Sequence, residues 1–346
     1  MPNRRVMFAL AVIAAWLIFG LAMTARLATS TDAVVVYTAQ DSLYAEPIFE
    51  AFTQATGVRI RAKFDTEATK TVGLARAIMA EASRGRCDVF WNNEILNTIR
   101  LQRRGLLEPY ESPEASFYPR QFRSSGGDWY GFAARARVLI VNTDRVAMED
   151  HPTSIYDLAD RRFQGDIAIA KPLFGTTATH AACLFSHLGV ERARDFFLSL
   201  KRNGIQVMAG NRQVAMAVAG GQIAFGLTDT DDAISEIEKG YPVAIVYPDR
   251  EEGQLGTLFI PNTVSIIRGT SHPGEARALV DYLLSREVEA KLAAGPSAQI
   301  PLRIDTKVEV RIETPRTVHA MPVDFEAAAD AWTTAAEFIR DEFTGP

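Results

Sequence analysis

The chain of 346 residues is 47% hydrophobic and 23% charged, and its formal net charge is -5. This composition excludes disordered, collagen-like and coiled-coil chains, and the length predicts two domains that each bury a core. An acidic chain without a run of lysines and arginines cannot neutralise a phosphate backbone, so nucleic acid is excluded as a partner.

The first 30 residues have the pattern of an export segment. Arg4 and Arg5 precede an uncharged apolar run over residues 6–23, and a basic flank before an apolar core is typical of secretory signals. The run is at the lower limit of length for crossing a bilayer, and no clear cleavage site follows it. We therefore expect residues 1–30 to be a signal peptide or a membrane anchor. The body is expected in the periplasm or on the extracytoplasmic face of the membrane.

The body then alternates strands and helices. Residues 33–37 form an apolar run typical of a buried parallel strand, and Ile48 and Phe52 recur at helical spacing before Gly57. Residues 58–64 alternate in polarity and predict a second strand. Further strands are predicted at 87–91, 137–141, 166–170, 205–208, 222–227, 243–247, 257–260 and 263–267.

Helices are predicted between most of these strands and after the last one. Two lie around residues 274–285 and 286–293. The final helix begins at Asp324 and places Trp332 and Phe343 on one apolar stripe. Repeated alternation of strands and helices predicts an α/β fold with mainly parallel sheets.

Two kinds of reactive side chain are expected to be structural. Cys87 and Cys183 each lie in an apolar run, which predicts small core residues and no disulfide. His180 and His187 are too far apart along one helix face to share a metal ion, so we expect both to be structural or solvated.

Polar residues cluster in the loops that follow the strands. In parallel sheets, ligands bind beyond the carboxyl ends of the strands, where helix amino termini also point. We therefore expect these loops to line one ligand cleft. The candidate residues are Thr38, Gln40, Asp41, Asn93, Glu94, Gly175, Thr176, Thr177, Asn211, Thr228, Asp229, Thr230 and Asp231.

Two of these loops have two interpretations each. Asp229, Asp231 and Asp232 offer oxygen ligands for a hard cation, or alternatively cap a helix. Asp232 is further into the helix and is expected to project elsewhere. The loop 175–177 either cradles an anion with its backbone N–H groups and hydroxyls or forms a threonine cap beside a flexible glycine.

Arg135 and Arg137 flank one alanine on a predicted strand. We expect their side chains to diverge, so that one enters the cleft as an anion clamp and the other remains a surface charge. Arg135 is assigned to the cleft.

The chain carries no motif of a known catalytic nucleophile. The sequence contains no G-x-S-x-G, C-x-x-C, H-E-x-x-H or G-x-x-x-x-G-K-[ST] motif, so no catalytic residue is assigned and no enzyme is expected. Asp229 and Asp231 do match the D-x-D arrangement in which two carboxylates hold a metal ion that bridges phosphates. A metal-dependent transferase or phosphotransfer enzyme is therefore the alternative to a binding protein.

Stretches along the whole body resemble one family. The opening VVVYTAQDSLYAEPIFEAFTQATGV is similar to the start of periplasmic solute-binding proteins of ABC importers, specifically the ferric-iron-binding, transferrin-like class. The resemblance covers residues 33–343. The other stretches that carry it are CDVFWNNE, LQRRGLLEPY, WYGFAARARVLIVNT, PTSIYDLAD, GTLFIPNTVSIIRG and HPGEARALVDYLLS.

The resemblance implies a two-lobed, type II-like binding protein with its ligand cleft between the lobes. It places residues 31–134 and 262–304 in lobe 1, and residues 135–261 and 305–346 in lobe 2. The implied partners are the permease and ATPase subunits of an ABC transporter and a small molecule or ion. A monomer is implied, which contacts the membrane through its N-terminal segment if that segment is uncleaved. A membrane-anchored sensor would use the same cleft.

The iron site that the resemblance implies is incomplete. The family's paired tyrosines are replaced by Thr230 and Asp231, although phenolate is a strong ligand for ferric ion. Arg135 resembles the arginine that holds the anion bound beside the iron. Gln40 and Asp41 hold the place of the ligand in the first loop.

Asn93 and Glu94 compete for the place of the family's carboxylate after the third strand. The ligand is therefore expected to be iron(III), another cation or a small polar solute, carried as cargo, with no certain cofactor. The residues expected to hold a metal ion are Asp41, Glu94, Asp229 and Asp231.

Overall fold

The structure is a computed structural model that describes residues 33–65 and 72–344, so the predicted export segment lies outside the described residues. Within those ranges, no helix is long and apolar enough to cross a membrane. The strands are β1 (Val34–Thr38), β2 (Ile60–Phe64), β3 (Val89–Asn92), β4 (Leu107–Glu108), β5 (Tyr130–Asn142), β6 (Ile167–Ala170), β7 (Gln206–Met208), β8 (Phe225–Asp229), β9 (Val243–Val246) and β10 (Phe259–Ile267). The α-helices are α1 (Ser42–Thr56), α2 (Val72–Glu81), α3 (Leu96–Arg103), α4 (Gly175–Leu188), α5 (Val190–Arg202), α6 (Asn211–Ala219), α7 (Thr230–Glu238), α8 (Pro273–Leu283), α9 (Arg286–Ala294) and α10 (Phe325–Phe338).

Two crossing strands, β5 and β10, connect two groups of strands. The strand order is β2-β1-β3-β10-β5-β8-β6-β7, with β4 paired to β10 and β9 paired to β5. Residues 130–132 of β5 pair with β10, whereas residues 137–141 pair with β8. One long strand therefore belongs to both lobes of this α/β protein.

The sheets are mixed, so the prediction of mainly parallel sheets is wrong. β1 pairs in parallel with β2 and β3, and β6 pairs in parallel with β7 and β8. β5 and β10 are antiparallel to each other and to their other partners. The reason is topological: β5 takes the chain from the first lobe to the second, and β10 brings it back.

Two strand boundaries also differ from the prediction. β10 is one strand, although two strands were predicted at 257–260 and 263–267. Its ladder with β5 shifts register between Ile260 and Asn262, where Pro261 has no N–H to donate. β5 begins at residue 130, seven residues before the predicted start, and all 13 of its residues are buried. The buried Arg135 within it interrupts the apolar pattern that would have predicted the longer strand.

The helices bury the faces that their sequence predicts. α1 buries Ile48 and Phe52. α10 begins after Asp324, whose side chain accepts hydrogen bonds from two backbone N–H groups of the first turn. Cys87 and Cys183 are buried free thiols, which confirms the prediction of small core residues.

The C-terminal helix α10 joins distant parts of the chain. It packs against α4 and α3, and Asp330 forms an ion pair of 2.6 Å with Arg103 of α3. The helix thus contacts segments assigned to both lobes. The lobe boundaries drawn from the sequence stay a prediction.

Candidate functional site

A narrow cleft lies where the carboxyl ends of β1, β3, β6 and β8 meet the amino termini of α4, α6 and α7. It encloses about 30 Å³, which is room for about two water molecules. The lining residues are Asp41, Asn93, Arg135, Ala170, Lys171, Phe174, Gly175, Thr176, Thr177, Ala209, Gly210, Asn211, Asp229, Asp231 and Asp232.

A fully buried ion pair forms the floor of the cleft. The Nη1 atom of Arg137 lies 2.7 Å from Oδ1 of Asp229 and also donates to Asn211. Register explains the pairing, because β5 and β8 place Arg137 directly opposite Asp229. Arg137 also donates to the hydroxyls of Thr176 and Thr177, at 3.3 and 3.2 Å. This arginine thus ties β5, β8, α4 and α6 together.

The expectation that Arg137 would be a surface charge is wrong. Its exposed fraction is 0%, and that of Arg135 is 3%. Residues two apart on a strand point to the same face, so both guanidinium groups reach the cleft region. Neither side chain diverges towards solvent.

Arg135 links the two walls of the cleft. Its Nη1 atom lies 3.7 Å from Asp229 and 3.5 Å from Asp231, and its Nη2 atom donates to the backbone carbonyl of Asn93. Burial acts to lower the pKa of Arg135, but Asp231 and Asp229 outweigh it and raise that pKa. The charge on Arg135 is therefore held in place by both aspartates.

Asp229 is a structural anion whose oxygens are both occupied. Oδ1 accepts from Arg137, and Oδ2 accepts from Thr176 Oγ1 at 2.6 Å and from Asn211 Nδ2 at 3.0 Å. Burial acts to raise the pKa of Asp229, but the charges of Arg137 and Arg135 outweigh burial, so the pKa lies below its usual value. The side chain makes no cap hydrogen bond to α7, so helix capping does not explain this residue.

The three aspartates after β8 do lie together. Oxygens of Asp229, Asp231 and Asp232 lie within 4.8 Å of one another, a spacing that a metal ion could bridge. Guanidinium groups face them, since Arg135 lies against Asp229 and Asp231, and Arg212 lies 3.9 Å from Asp232. Asp232 therefore lines the cleft, and the expectation that it projects elsewhere is wrong.

Three helices begin at this cleft, and two of them have no side-chain cap. The residues before α4 and α6 are Phe174 and Gly210, neither of which caps its helix. In α7 the side chain of Asp231 accepts from the N–H of Asp232 at 3.1 Å. The first N–H groups of a helix have no partner within it, and their partial positive charge favours an anion. Thr176 and Thr177 use their hydroxyls on Asp229 and Asn211, so neither is the predicted threonine cap.

The first lobe contributes two of the predicted residues to the cleft. Asp41, before α1, reaches across to Arg212 of α6 at 2.8 Å. Asn93 follows β3, and its Oδ1 atom is buried without a hydrogen-bond partner, as is Nε of Arg135. These two atoms are therefore unpaired polar atoms of residues that line the cleft.

Glu94 does not reach the cleft. Its carboxylate accepts from the N–H groups of Leu96 and Asn97 at 2.6 and 3.0 Å, and from Thr179 Oγ1 at 2.8 Å. It therefore holds the start of α3 and is fully buried. Thus the four predicted metal ligands are not brought together, because Glu94 faces away from Asp41, Asp229 and Asp231.

Four other predicted residues do not line the cleft and lie behind the residues that do: Thr38, Gln40, Thr228 and Thr230. Thr38 accepts from the N–H of Gln40 at 3.0 Å, and Thr228 donates to the carbonyl of Asn211 at 3.1 Å. Thr230 accepts from the N–H of Ala136 on β5. They support the loops that carry the lining residues.

Lys171, Phe174 and Gly210 line the cleft although none was assigned to it from the sequence. Lys171 directly follows β6, so the rule that polar residues after strands face the ligand would have selected it. His180 is buried and structural, as predicted. Burial and the neighbouring Arg137 lower its pKa to about 3.

A family model and a curated relative both identify this chain as similar to solute-binding proteins. Residues 98–328 match the family described as bacterial extracellular solute-binding protein. The major ferric iron-binding protein of Neisseria meningitidis is 26% identical over 81% of this chain and 84% of its own length.

Solved structures agree with the observed fold. Iron-bound HitA from Pseudomonas aeruginosa has a TM-score of 0.81 at 23% identity, covering 89% of this chain and 99% of HitA. The periplasmic binding protein AfuA from Actinobacillus pleuropneumoniae, with exogenous fructose-6-phosphate bound, has a TM-score of 0.80 at 24% identity, covering 91% and 99%. The predicted two-lobed periplasmic binding fold is thereby confirmed.

Proposed function

The chain belongs to the bacterial extracellular solute-binding protein family, and on that premise we propose that its cleft captures a small solute carrying an oxyanion. A solute-binding role outside the cytoplasm was predicted from the sequence and is confirmed by this membership. The transferase alternative is removed by the same finding. The solute would be delivered to the permease and ATPase of an ABC transporter.

One observation carries the choice of an oxyanion: the amino termini of α4 and α6, neither of which has a side-chain cap, converge on one cleft beside Lys171 and Arg135. Backbone N–H groups at helix starts, the buried guanidinium of Arg135 and the exposed ammonium of Lys171 favour a phosphate or carboxylate group. Each of the four aspartates of the cleft lies within 4.0 Å of one of three arginines, so the cleft does not present a bare set of carboxylates.

The lining does not favour a ferric ion. Among the described lining residues there is no tyrosine, histidine or glutamate. Tyr44 of α1 lies near the aspartates, but burial together with Asp231 and Asp41 raises its pKa to about 12, which favours the neutral phenol over the phenolate that binds ferric ion. Asp229 is already bound by Arg137, Thr176 and Asn211. The Neisseria protein and HitA are described by their iron, whereas the AfuA structure is described with a phosphate ester. We propose that this chain resembles the latter in its cargo.

The proposed roles divide between the two walls. Lys171 and the N–H groups at the start of α4 would hold the oxyanion, and Arg135 would donate its free Nε–H. Asn93 and Asp231 would accept hydrogen bonds from hydroxyl or ammonium groups of the solute. The residues proposed to contact it are Asp41, Asn93, Arg135, Lys171, Gly175, Thr176, Thr177, Asn211 and Asp231.

The oligomeric state and the membrane contact belong to the proposal as well. We propose a monomer that closes its lobes around the solute. Residues 1–30 would either hold it at the membrane or be removed.

Calorimetric titration with inorganic phosphate and with fructose-6-phosphate tests the oxyanion. We expect at least one of them to bind, and Lys171→Met to weaken that binding tenfold or more, since a charge-assisted hydrogen bond contributes about 1.5–3 kcal/mol. The matched control is Lys239→Met, because Lys239 directly follows the last residue of α7, at the end away from the cleft, and pairs with Glu236. Stoichiometric binding of iron(III) with no heat from either oxyanion would overturn the proposal.

A further inference from the structure

The crossing strand β5 carries a strained residue at the point where it leaves the first lobe. Ala133 has a φ of 43°, in the left-handed region that favours glycine. At this point β5 is out of register with β10, and its next residue, Ala134, exchanges two backbone hydrogen bonds with Ile300. Arg135 of the cleft follows immediately. A change in the backbone at Ala133 would therefore move Arg135 and the second lobe relative to the first.

One buried carboxylate holds this backbone. Glu289 of α9 accepts from the N–H of Ala133 at 3.2 Å and from the N–H of Leu302 at 3.3 Å. The carbonyl of Ala133 accepts from the side-chain amide of Asn262 on the returning strand β10. Both backbone groups of the strained residue are thus held by side chains from other segments.

Few charged groups surround Glu289. Its exposed fraction is 0%, and within residues 33–65 and 72–344 it forms no ion pair. The groups that face it are the buried Tyr118 hydroxyl and the backbone of Arg303, whose guanidinium pairs with Glu114 and Asp305. Burial raises the pKa of Glu289 to about 7, although the hydrogen bonds from Ala133 and Leu302 act to lower it.

We propose that Glu289 is a positioning residue for lobe closure, which clamps the backbone of Ala133 and so sets how readily the lobes close without touching the solute. The inference rests on the proposed function only in assuming that closure serves binding. Both N–H groups donate to Oε1 of Glu289, and these hydrogen bonds are charge-assisted while the carboxylate is ionised, so protonation weakens both of them. Closure should therefore be favoured above neutral pH and loosened below it.

The test measures closure without any solute, so that it stands even if the oxyanion proposal fails. Small-angle scattering of the solute-free protein should give a smaller radius of gyration at pH 8.5 than at pH 5.5. Glu289→Gln should remove this difference, because glutamine cannot lose a proton. Hydrogen exchange at the Ala133 amide should accelerate roughly tenfold in that variant, as expected for the loss of one charge-assisted hydrogen bond.

The matched control is Glu287→Gln, two residues away on the same helix and paired with Lys291. It should keep the pH difference and the slow exchange of wild type. If Glu289→Gln does not fold, Ala133→Gly provides the second variant. Glycine adopts this φ without strain, so the backbone that Glu289 holds should persist without the clamp, and the solute-free protein should keep its compact radius at both pH values. In the variant that folds, a radius that still changes with pH as in wild type would overturn the proposal.

Discussion

The two walls of the cleft differ in how fully their polar groups are satisfied. On the second-lobe wall, Asp229 is 2% exposed and accepts hydrogen bonds from Arg137, Thr176 and Asn211. On the first-lobe wall, Asn93 keeps a buried oxygen without a partner, and Asp41 reaches its partner only across the cleft. The acceptor oxygens of Asp229 are therefore filled before a solute arrives, whereas an acceptor oxygen of Asn93 on the other wall is still without a partner.

The largest effect should come from breaking the floor of the second-lobe wall. Arg137→Met removes the nearer of the two arginines from buried Asp229 and leaves Arg135 at 3.7 Å, and breaking a buried ion pair costs about 3–5 kcal/mol in the free energy of unfolding. Denaturant unfolding measures the cost. Asp41→Asn on the other wall is the control and should cost less than about 0.5 kcal/mol. A cost below about 1 kcal/mol for Arg137→Met would show that the floor does not depend on this pair.

Arg135 should affect binding more than folding, because it contacts both walls. Arg135→Met removes one partner of Asp229 but leaves Arg137 in place, so Asp229 stays neutralised. We expect affinity for the bound oxyanion to fall by about tenfold to a hundredfold, the range for a hydrogen bond to a charged group. Calorimetric titration at two salt concentrations measures the loss. Unchanged affinity in a folded variant would place the oxyanion elsewhere in the cleft.

Two buried groups, His180 and Glu289, should change the free energy of unfolding in opposite directions when the pH falls. Buried His180 of α4 has a pKa of about 3, so only the unfolded chain gains its proton as the pH falls below 6.5. Stability is lost, by about 2 kcal/mol at pH 5. Buried Glu289 of α9 has a pKa of about 7, so the folded protein takes up a proton first. Stability is then gained as the pH falls from 7 towards 4.5, by about 2–3 kcal/mol at pH 5.

Unfolding at pH 7 and pH 5 separates these contributions. His180→Gln should gain stability on acidification relative to wild type, and Glu289→Gln should lose it. The comparison uses the difference between the two pH values, so a constant cost of either substitution cancels. The same sign in both variants would contradict the assigned protonation states.

The smallest effect should come from the ion pair that spans the walls. Arg212 and Asp41 are 52% and 30% exposed at their side chains, and exposed pairs contribute about 0–1 kcal/mol. Asp41→Asn should therefore weaken oxyanion binding by less than about fivefold. A double-mutant cycle with Arg212→Gln measures the coupling. A coupling above about 2 kcal/mol would make this pair a main determinant of closure.

The sequence predicted which loops line the cleft better than it predicted which side chains contact one another there. The rule that polar residues follow strands placed Asp41, Asn93, Asp229 and Asp231 at the site, because each strand ends at the same edge. It failed for Glu94, one residue beyond Asn93, since the chain turns there and the carboxylate points back onto α3. Loop direction over a single residue is not encoded in a strand pattern.

The floor of the cleft was missed for a different reason. Arg137 meets Asp229 through the antiparallel register of β5 and β8, two segments about 90 residues apart in the chain. Long-range strand pairing does not follow from local periodicity. The strained Ala133 and its clamp Glu289 are likewise set by contacts between distant segments.

The central claim is that the arginines neutralise the aspartates of the cleft, so that the cargo carries an oxyanion and is not a ferric ion. Native mass spectrometry with elemental analysis of the purified protein tests this directly, because a tightly held solute survives purification. The account predicts that the native mass exceeds that of the chain by the mass of a solute with an oxyanion such as phosphate. It also predicts an iron content well below one atom per chain. One iron atom per chain, lost on Asp231→Asn, would contradict it.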